Sequence, residues 1–142
     1  MNRSSVRTQG METSASYAVA RYLKINAWGT FLDWKIYSSS EPLRDQPDFQ
    51  AGVTLDAKFP KHFTASSTTL WTGRRYDFQV PVPQIDSVGG YSATNLVVAF
   101  GGLRRTSIFA RINNLFNANY HEYIGFPNPG IAVQVGVSYQ TR

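Results

Sequence analysis

Apolar and polar residues alternate with a period of two along most of the chain. In the clearest stretch, the last, one side carries Ile131, Val133, Val135, Val137 and Tyr139, and polar or small residues take the other. Such alternation is typical of a β-strand with one apolar and one polar face. Together with one weaker stretch rich in Thr and Ser, the pattern predicts seven strands, over residues 6–19, 22–36, 49–59, 62–74, 90–101, 104–113 and 130–140.

The connections between these predicted strands have two lengths. The short ones suit hairpin turns, and they are Ala20–Arg21, Pro60–Lys61 and Gly102–Leu103. The long ones are rich in turn residues and cover 37–48, 75–89 and 114–129. Because short and long connections alternate without exception, we expect all long loops at one end of the strands and all tight turns at the other.

This arrangement favours an all-β fold: an antiparallel up-and-down transmembrane β-barrel segment of about seven strands from a larger barrel. Outer-membrane barrels combine short turns at one end with long loops at the other, and carry girdles of aromatic residues. Aromatic residues make up 14% of the chain, and many lie near predicted strand ends. These are Tyr22, Trp34, Tyr37, Phe59, Phe63, Trp71, Tyr76, Tyr91 and Tyr139. The same residues would suit an ordinary core, so a soluble β-sandwich or small barrel that binds through its long loops is the alternative.

Composition and charge narrow the classes further. The chain has no Cys, which excludes disulfides and thiolate metal sites. It also lacks the run of about 20 apolar residues that a transmembrane helix needs. The 14 Lys and Arg exceed the nine Asp and Glu, but they are scattered at strand ends, so no nucleic-acid partner is expected. The first residues are polar and show no apolar core of a secretory signal.

No catalytic constellation is visible. Asp86, Ser87 and His121 have neither a strained Gly-x-Ser-x-Gly turn nor a base at a defined spacing, so an enzyme is not expected. Asp86 and Ser87 are interpreted as turn formers, and Asn113 and Asn114 as residues that cap a strand end or order the loop after it. No catalytic residue, resident metal or cofactor is predicted.

The second long loop begins with a basic pair. Arg74 and Arg75, followed by Tyr76, could hold anionic groups of a metal chelate or of lipopolysaccharide. The alternative is a structural role at the barrel rim, in which these residues pair with Asp77 or Asp33.

The last long loop supplies two further candidates. His121, next to Glu122, could touch a metal chelate, and Tyr123 lies in the same loop. The alternative is an ordinary solvated loop histidine. The predicted ligand-binding set is therefore Arg74, Arg75, Tyr76, His121 and Tyr123.

Several segments resemble one known family. They are Arg7–Glu12 (RTQGME), Gly73–Tyr76 (GRRY), Asn95–Leu96, Arg111–Tyr120 (RINNLFNANY) and Gly125–Gly130 (GFPNPG). In this order and spacing the chain resembles the C-terminal end of TonB-dependent outer-membrane receptors, and its closing segment is most similar to the vitamin B12 and siderophore receptor types. The Asn-Leu-Phe-Asn stretch is the most specific part of the resemblance.

The resemblance implies a barrel of about 22 strands, closed by an N-terminal plug, in the outer membrane of a Gram-negative bacterium. Such a receptor takes up scarce metal chelates with energy relayed by TonB. Residues 1–142 would supply only the last seven strands, with no plug domain. The implied partners are outer-membrane lipid and the remaining barrel and plug, or another chain that closes the barrel, with TonB contacted only through the N-terminal part. A small self-associating pore, in which two copies give fourteen strands, is a further alternative.

Overall fold

The computed structural model describes residues 5–37, 42–78 and 85–141. Its eleven strands are β1 (Val6–Ala20), β2 (Leu23–Ile36), β3 (Phe49–Phe59), β4 (Phe63–Thr72), β5 (Arg75–Phe78), β6 (Ile85–Val88), β7 (Tyr91–Leu103), β8 (Thr106–Asn113), β9 (His121–Tyr123), β10 (Phe126–Pro127) and β11 (Ala132–Tyr139). The described residues contain no helix that is long and apolar enough to cross a membrane.

Seven long strands form one antiparallel sheet in the order β1-β2-β3-β4-β7-β8-β11. This is the order of the chain, so consecutive strands are neighbours, as in an up-and-down barrel. All seven predicted strands are confirmed, with each boundary within two residues of the prediction. Two short hairpins, β5–β6 and β9–β10, lie inside the second and third long connections and were not predicted.

The predicted positions of two tight turns were wrong. The first turn is Arg21–Tyr22, and the third is Arg104–Arg105, because β7 continues through both glycines of its end to Leu103. The strand pairing shifts between Phe100 and Leu103. The Phe100 ring occupies the space that a Cβ on Gly102 would need. Gly102 therefore makes room for a neighbouring side chain within a strand instead of forming a turn.

The strand register aligns the apolar positions into one face. Val133 lies opposite Ile112, which lies opposite Leu96, and the row continues through Ser67 to Leu55. The prediction that Val133 and its alternating neighbours share a face is thus confirmed across the sheet. We call this surface the apolar face.

The other face is polar and internally hydrogen-bonded. The Asp56 carboxylate accepts hydrogen bonds from the Asn26 amide on β2 (3.2 Å) and from the Ser66 hydroxyl on β4 (2.7 Å). The hydroxyl groups of Thr54 and Thr68 lie 3.1 Å apart on the same face. These cross-strand pairs link β2, β3 and β4 side by side.

The apolar face has no second layer packed against it among the described residues. Of the hydrophobic residues whose burial the structure describes, only Ile36 and Val88 are buried, whereas Val133 and Val135 are 64% and 72% exposed. The accessible surface is 10339 Å², against about 7,400 Å² for a compact soluble monomer of this mass. The seven long strands therefore form a single open sheet and not a two-layer sandwich.

Candidate ligand-facing loop cluster

All three long connections lie at one end of the sheet, as predicted. They join β2 to β3, β4 to β7, and β8 to β11, and we call them loops one, two and three. We call this end of the sheet the loop end. The opposite end carries the three tight turns and is the turn end.

Strand β5 of loop two is tied to loop one. The Arg44 guanidinium donates to the Asp77 carboxylate at 3.0 Å, and Asp77 is buried. The backbone N–H of Asp45 donates to the carbonyl of Tyr76 at 2.9 Å, and Arg44 and Tyr76 form a parallel bridge. Asp77 is thus paired with an arginine of loop one.

Arg75 ties the same strand to loop three. Its guanidinium donates to the backbone carbonyl of His121 at 3.0 Å and to that of Glu122. It lies 5.8 Å from the ring centre of Tyr91 and 6.0 Å from that of Tyr123, within the range of cation–π attraction. Arg75 is only 7% exposed, so these contacts replace most of its contact with water.

Loop three is ordered by one buried asparagine. The Asn114 side chain accepts from the Ala118 N–H (2.8 Å) and donates to the carbonyls of Ala118 (2.9 Å) and Pro129 (3.3 Å). Its own N–H donates to the side chain of Asn95 (3.0 Å). Asn114 has a φ of 51°, a left-handed conformation that asparagine tolerates better than most residues. The predicted loop-ordering role of Asn114 is confirmed.

Two tyrosine rings join the sheet to loop three. Tyr91 at the start of β7 and Tyr120 stack with ring centres 3.9 Å apart and planes 10° apart. Burial raises the pKa of the Tyr120 phenol, and the neighbouring Tyr91 and Glu122 add to the shift. The phenol therefore stays neutral at physiological pH and remains a hydrogen-bond donor.

The structure divides the five predicted ligand residues among three clefts. Arg75 and Tyr123 line a cleft of about 240 Å³ that also includes Gln50 and Thr72 of the polar face. His121 lines a second cleft of about 430 Å³ between loops two and three. The remaining two, Arg74 and Tyr76, line a third of about 500 Å³ beside β2, where the Arg74 guanidinium lies 5.5 Å from the Tyr76 ring centre.

Sequence reasoning missed four residues that hold this cluster together: Arg44, Asp77 as its partner, Tyr91 and Tyr120. Their roles depend on contacts between loops that are far apart in the chain, and no local sequence pattern predicts such contacts. Among the described residues, no three His, Asp or Glu side chains converge as a metal site would require.

No protein-family model matches the sequence, and no curated protein matches it. Solved structures do match the fold. The outer-membrane ferripyoverdine receptor of Pseudomonas aeruginosa superimposes with a TM-score of 0.78 at 18% identity, over 94% of this chain and 19% of the receptor. The copper transporter OprC gives a TM-score of 0.77 at 23% identity, over 94% of this chain and 24% of the transporter. The ferric-catecholate import receptor Fiu of E. coli K12 gives 0.76 at 14% identity, over 94% and 21%.

The chain has the barrel fold of TonB-dependent outer-membrane receptors. It spans about a fifth of the length of the receptors that it matches. The matched proteins are an outer-membrane receptor, a copper transporter and an import receptor. In the receptor barrel fold, the single open sheet described above corresponds to a segment of barrel wall, which explains why it has an uncovered apolar face.

Proposed function

We propose that this chain forms the C-terminal strands of a TonB-dependent receptor in the outer membrane of a Gram-negative bacterium. Its parent activity is the uptake of a siderophore, cobalamin or a similar metal chelate. The observation that carries the proposal is the single antiparallel sheet with an exposed apolar face, which superimposes on receptor barrels over 94% of the chain.

The dimensions of the apolar face support a membrane location. Phe49 and Phe59 stand on this face at the two ends of the 11-residue strand β3. Ten residue steps of about 3.4 Å give about 34 Å along the strand. A tilt of about 40° reduces this to about 26 Å along the membrane normal, close to the apolar band of outer-membrane barrels. Phe31 and Trp71 accompany Phe49 near the loop end.

The number of strands supports closure by other strands of a receptor. With seven antiparallel strands, the edge strands β1 and β11 run in the same direction. A fully antiparallel barrel needs an even total, so an odd number of additional strands must join them, about 15 in a barrel of about 22. Two copies with their loops on the same side would join β11 to β1 in parallel, so the two-copy pore is disfavoured. Contact with TonB is assigned to the receptor's N-terminal part.

The loop cluster supports a role in ligand contact. The siderophore complexes of known receptors involve chelates such as ferripyoverdine, and arginine suits the anionic oxygens of such ligands. We assign direct contact to the exposed Arg74, with Tyr76, His121 and Tyr123. Arg75, whose guanidinium already donates to two backbone carbonyls, contributes to the same surface chiefly by positioning Tyr123 and loop three.

Fractionation of the source cells tests the proposal. An antibody to β11 should detect the chain in the outer-membrane fraction, in a species that resists extraction by salt or carbonate. Detection at the size of a whole receptor supports the full proposal. A band at 15.9 kDa in the same fraction would require that separate chains supply the partner strands. Recovery in the soluble fraction would contradict the membrane location and favour the soluble binding module.

A further inference from the structure

The three tight turns at the turn end form a row of positive charge. Their residues include Arg21, Lys61, Arg104 and Arg105, all exposed, and no acidic residue. By contrast, the described parts of the long connections, including their hairpins, carry three Arg or Lys and five Asp or Glu. We call Arg21, Lys61, Arg104 and Arg105 the turn cations. Both ion pairs formed within the described residues belong to Arg44 at the loop end.

The backbone conformation of the turns is unusual for basic residues. Lys61, His62 and Arg105 have φ values of 61°, 66° and 59°. This left-handed region is uncommon for residues other than Gly, Asn and Asp, and costs about 1 kcal/mol or more for a bulkier side chain. Long basic side chains thus occupy positions where Asn or Gly would fit the backbone better. The presence of basic residues at these positions indicates that their side chains have a function other than stabilising the turn.

The turns are held at one level along the sheet edge. The Lys58 N–H donates to the carbonyl of Tyr22, and the Gly101 N–H donates to that of His62. The Gln140 N–H donates to the carbonyl of Arg105 in the same way. Each turn is therefore bonded to the strand beside it. Neighbouring turns are two strand spacings apart, about 10 Å, which aligns the turn cations in a regular row.

The row lies directly beyond the aromatic edge of the apolar face. Phe59, Phe63 and Phe100 are opposite one another on that face, and the rings of Phe63 and Phe100 lie 4.7 Å apart. Tyr22 and Tyr139 are exposed nearby. Aromatic rings favour the boundary between the lipid acyl chains and the headgroups, and cations favour the phosphate groups just beyond it. The aromatic edge and the turn cations follow one another in this same order.

We propose that the turn cations bind the phosphate groups of anionic phospholipids in the membrane leaflet at the turn end. The proposal rests on the membrane location proposed above and adds a lipid specificity to it. An acidic protein partner would match the charge but would give no reason for the aromatic rings beside the cations. Each cation near an anionic lipid surface contributes about a fivefold preference, which salt weakens.

The test compares two double variants with equal loss of charge. Lys61→Asn with Arg105→Asn removes two turn cations and places asparagine where the backbone is left-handed, so folding should be retained or improved. Lys24→Gln with Arg111→Gln removes two charges from the polar face. The outer-membrane species that carries the chain is purified in nonionic detergent and exposed to equal amounts of phosphatidylglycerol and phosphatidylcholine. Mass spectrometry then gives the ratio of the two lipids retained.

The wild type should retain phosphatidylglycerol preferentially, and the turn variant should lower that preference about fivefold or more, while the polar-face variant stays near wild type. Equal losses in both variants would attribute the preference to net charge and overturn the proposal. An unchanged preference in the turn variant would overturn it as well and favour an acidic protein as the partner. Wild-type chain outside the membrane fraction would overturn both this inference and the proposed function, which separates the two failures.

Discussion

Both ends of the sheet place non-glycine residues in the left-handed backbone conformation, but the residue types differ between the two ends. At the loop end, the non-glycine residues with positive φ are Asp45, Asn114 and Asn117, which are types that accept this conformation. At the turn end they are Lys61, His62 and Arg105. At the loop end, the residues with positive φ are therefore of types that tolerate this conformation, and the loops form many side-chain hydrogen bonds. At the turn end, the residues with positive φ are of types that tolerate it poorly, and their side chains are exposed.

The difference shows where each end obtains its order. Loop three would lose its shape without the bonds of Asn114 and Asn117, because its backbone is too long to be fixed by strand pairing alone. The tight turns are fixed by the ladders on both sides, so their side chains are available for contacts outside the chain. Because strand pairing fixes the turns, the side chains of the turn residues have no structural role. In the long loops, by contrast, many polar side chains form hydrogen bonds within the chain.

The largest expected effect lies in the apolar face that separates the two ends. Val135→Arg puts a charge on that face in the middle of β11, and Gln134→Arg puts the same charge on the polar face one residue away. For a membrane barrel we expect the first to cost about 2–4 kcal/mol and the second less than about 1 kcal/mol. The amount of chain assembled in the outer membrane, read by immunoblot, measures the difference. Equal losses would show that the apolar face does not meet lipid.

The next largest effect is expected at the loop end. Asn114→Ala removes three side-chain hydrogen bonds and puts alanine at a left-handed position. We expect a loss of about 3 kcal/mol in the stability of loop three, because the backbone groups of Ala118 and Pro129 lose their partner in the buried Asn114 side chain. Hydrogen exchange across 114–131 measures it. Asn119→Ala, at an exposed position, is the control, and similar exchange in both variants would contradict the role of Asn114.

Arg75→Lys tests the link between loops two and three. Lysine keeps the charge but is shorter and lacks the planar guanidinium, one terminal nitrogen of which donates to both carbonyls, so we expect a loss of about 2 kcal/mol in loop docking. Limited proteolysis should cut loop three faster while the long strands stay resistant. Arg74→Lys, at an exposed neighbouring site, should leave the cleavage rate unchanged. Faster cleavage in both variants would assign the effect to the basic pair as a whole.

Much of the sheet was predictable from the sequence because each strand residue is assigned to a face by its immediate neighbours. The alternation around Val133 and around Val53 fixes both period and face without knowledge of the partner strand. The third turn was misplaced because Gly102 resembles a turn residue, whereas the space beside it is filled by the Phe100 ring. That contact depends on packing and has no local signature.

The candidate site was less predictable for the same reason. Arg74, Arg75 and Tyr76 were singled out together as neighbours in the chain, but Arg75 points its bonds to loop three while Arg74 and Tyr76 line another cleft. The hairpins β5–β6 and β9–β10 are too short for a period-two pattern to stand out. Pairs between distant loops, such as Arg44 with Asp77, become visible only when the sheet brings the loops to one end.

The smallest effect, and the most direct test of the comparison, is a gain at the turn end. Lys61→Asn should raise the free energy of unfolding by about 0.5–1 kcal/mol, because asparagine accepts the left-handed conformation at lower cost. Arg21→Asn is the matched control, since Arg21 lies in a tight turn, is equally basic and has no positive φ. It should give no gain. Thermal melting of the purified chain in detergent measures both. A gain from Arg21→Asn as large as that from Lys61→Asn would mean that charge repulsion among the turns, and not backbone conformation, lowers the stability of the wild type. A loss of stability from Lys61→Asn would mean that the lysine stabilises its own turn.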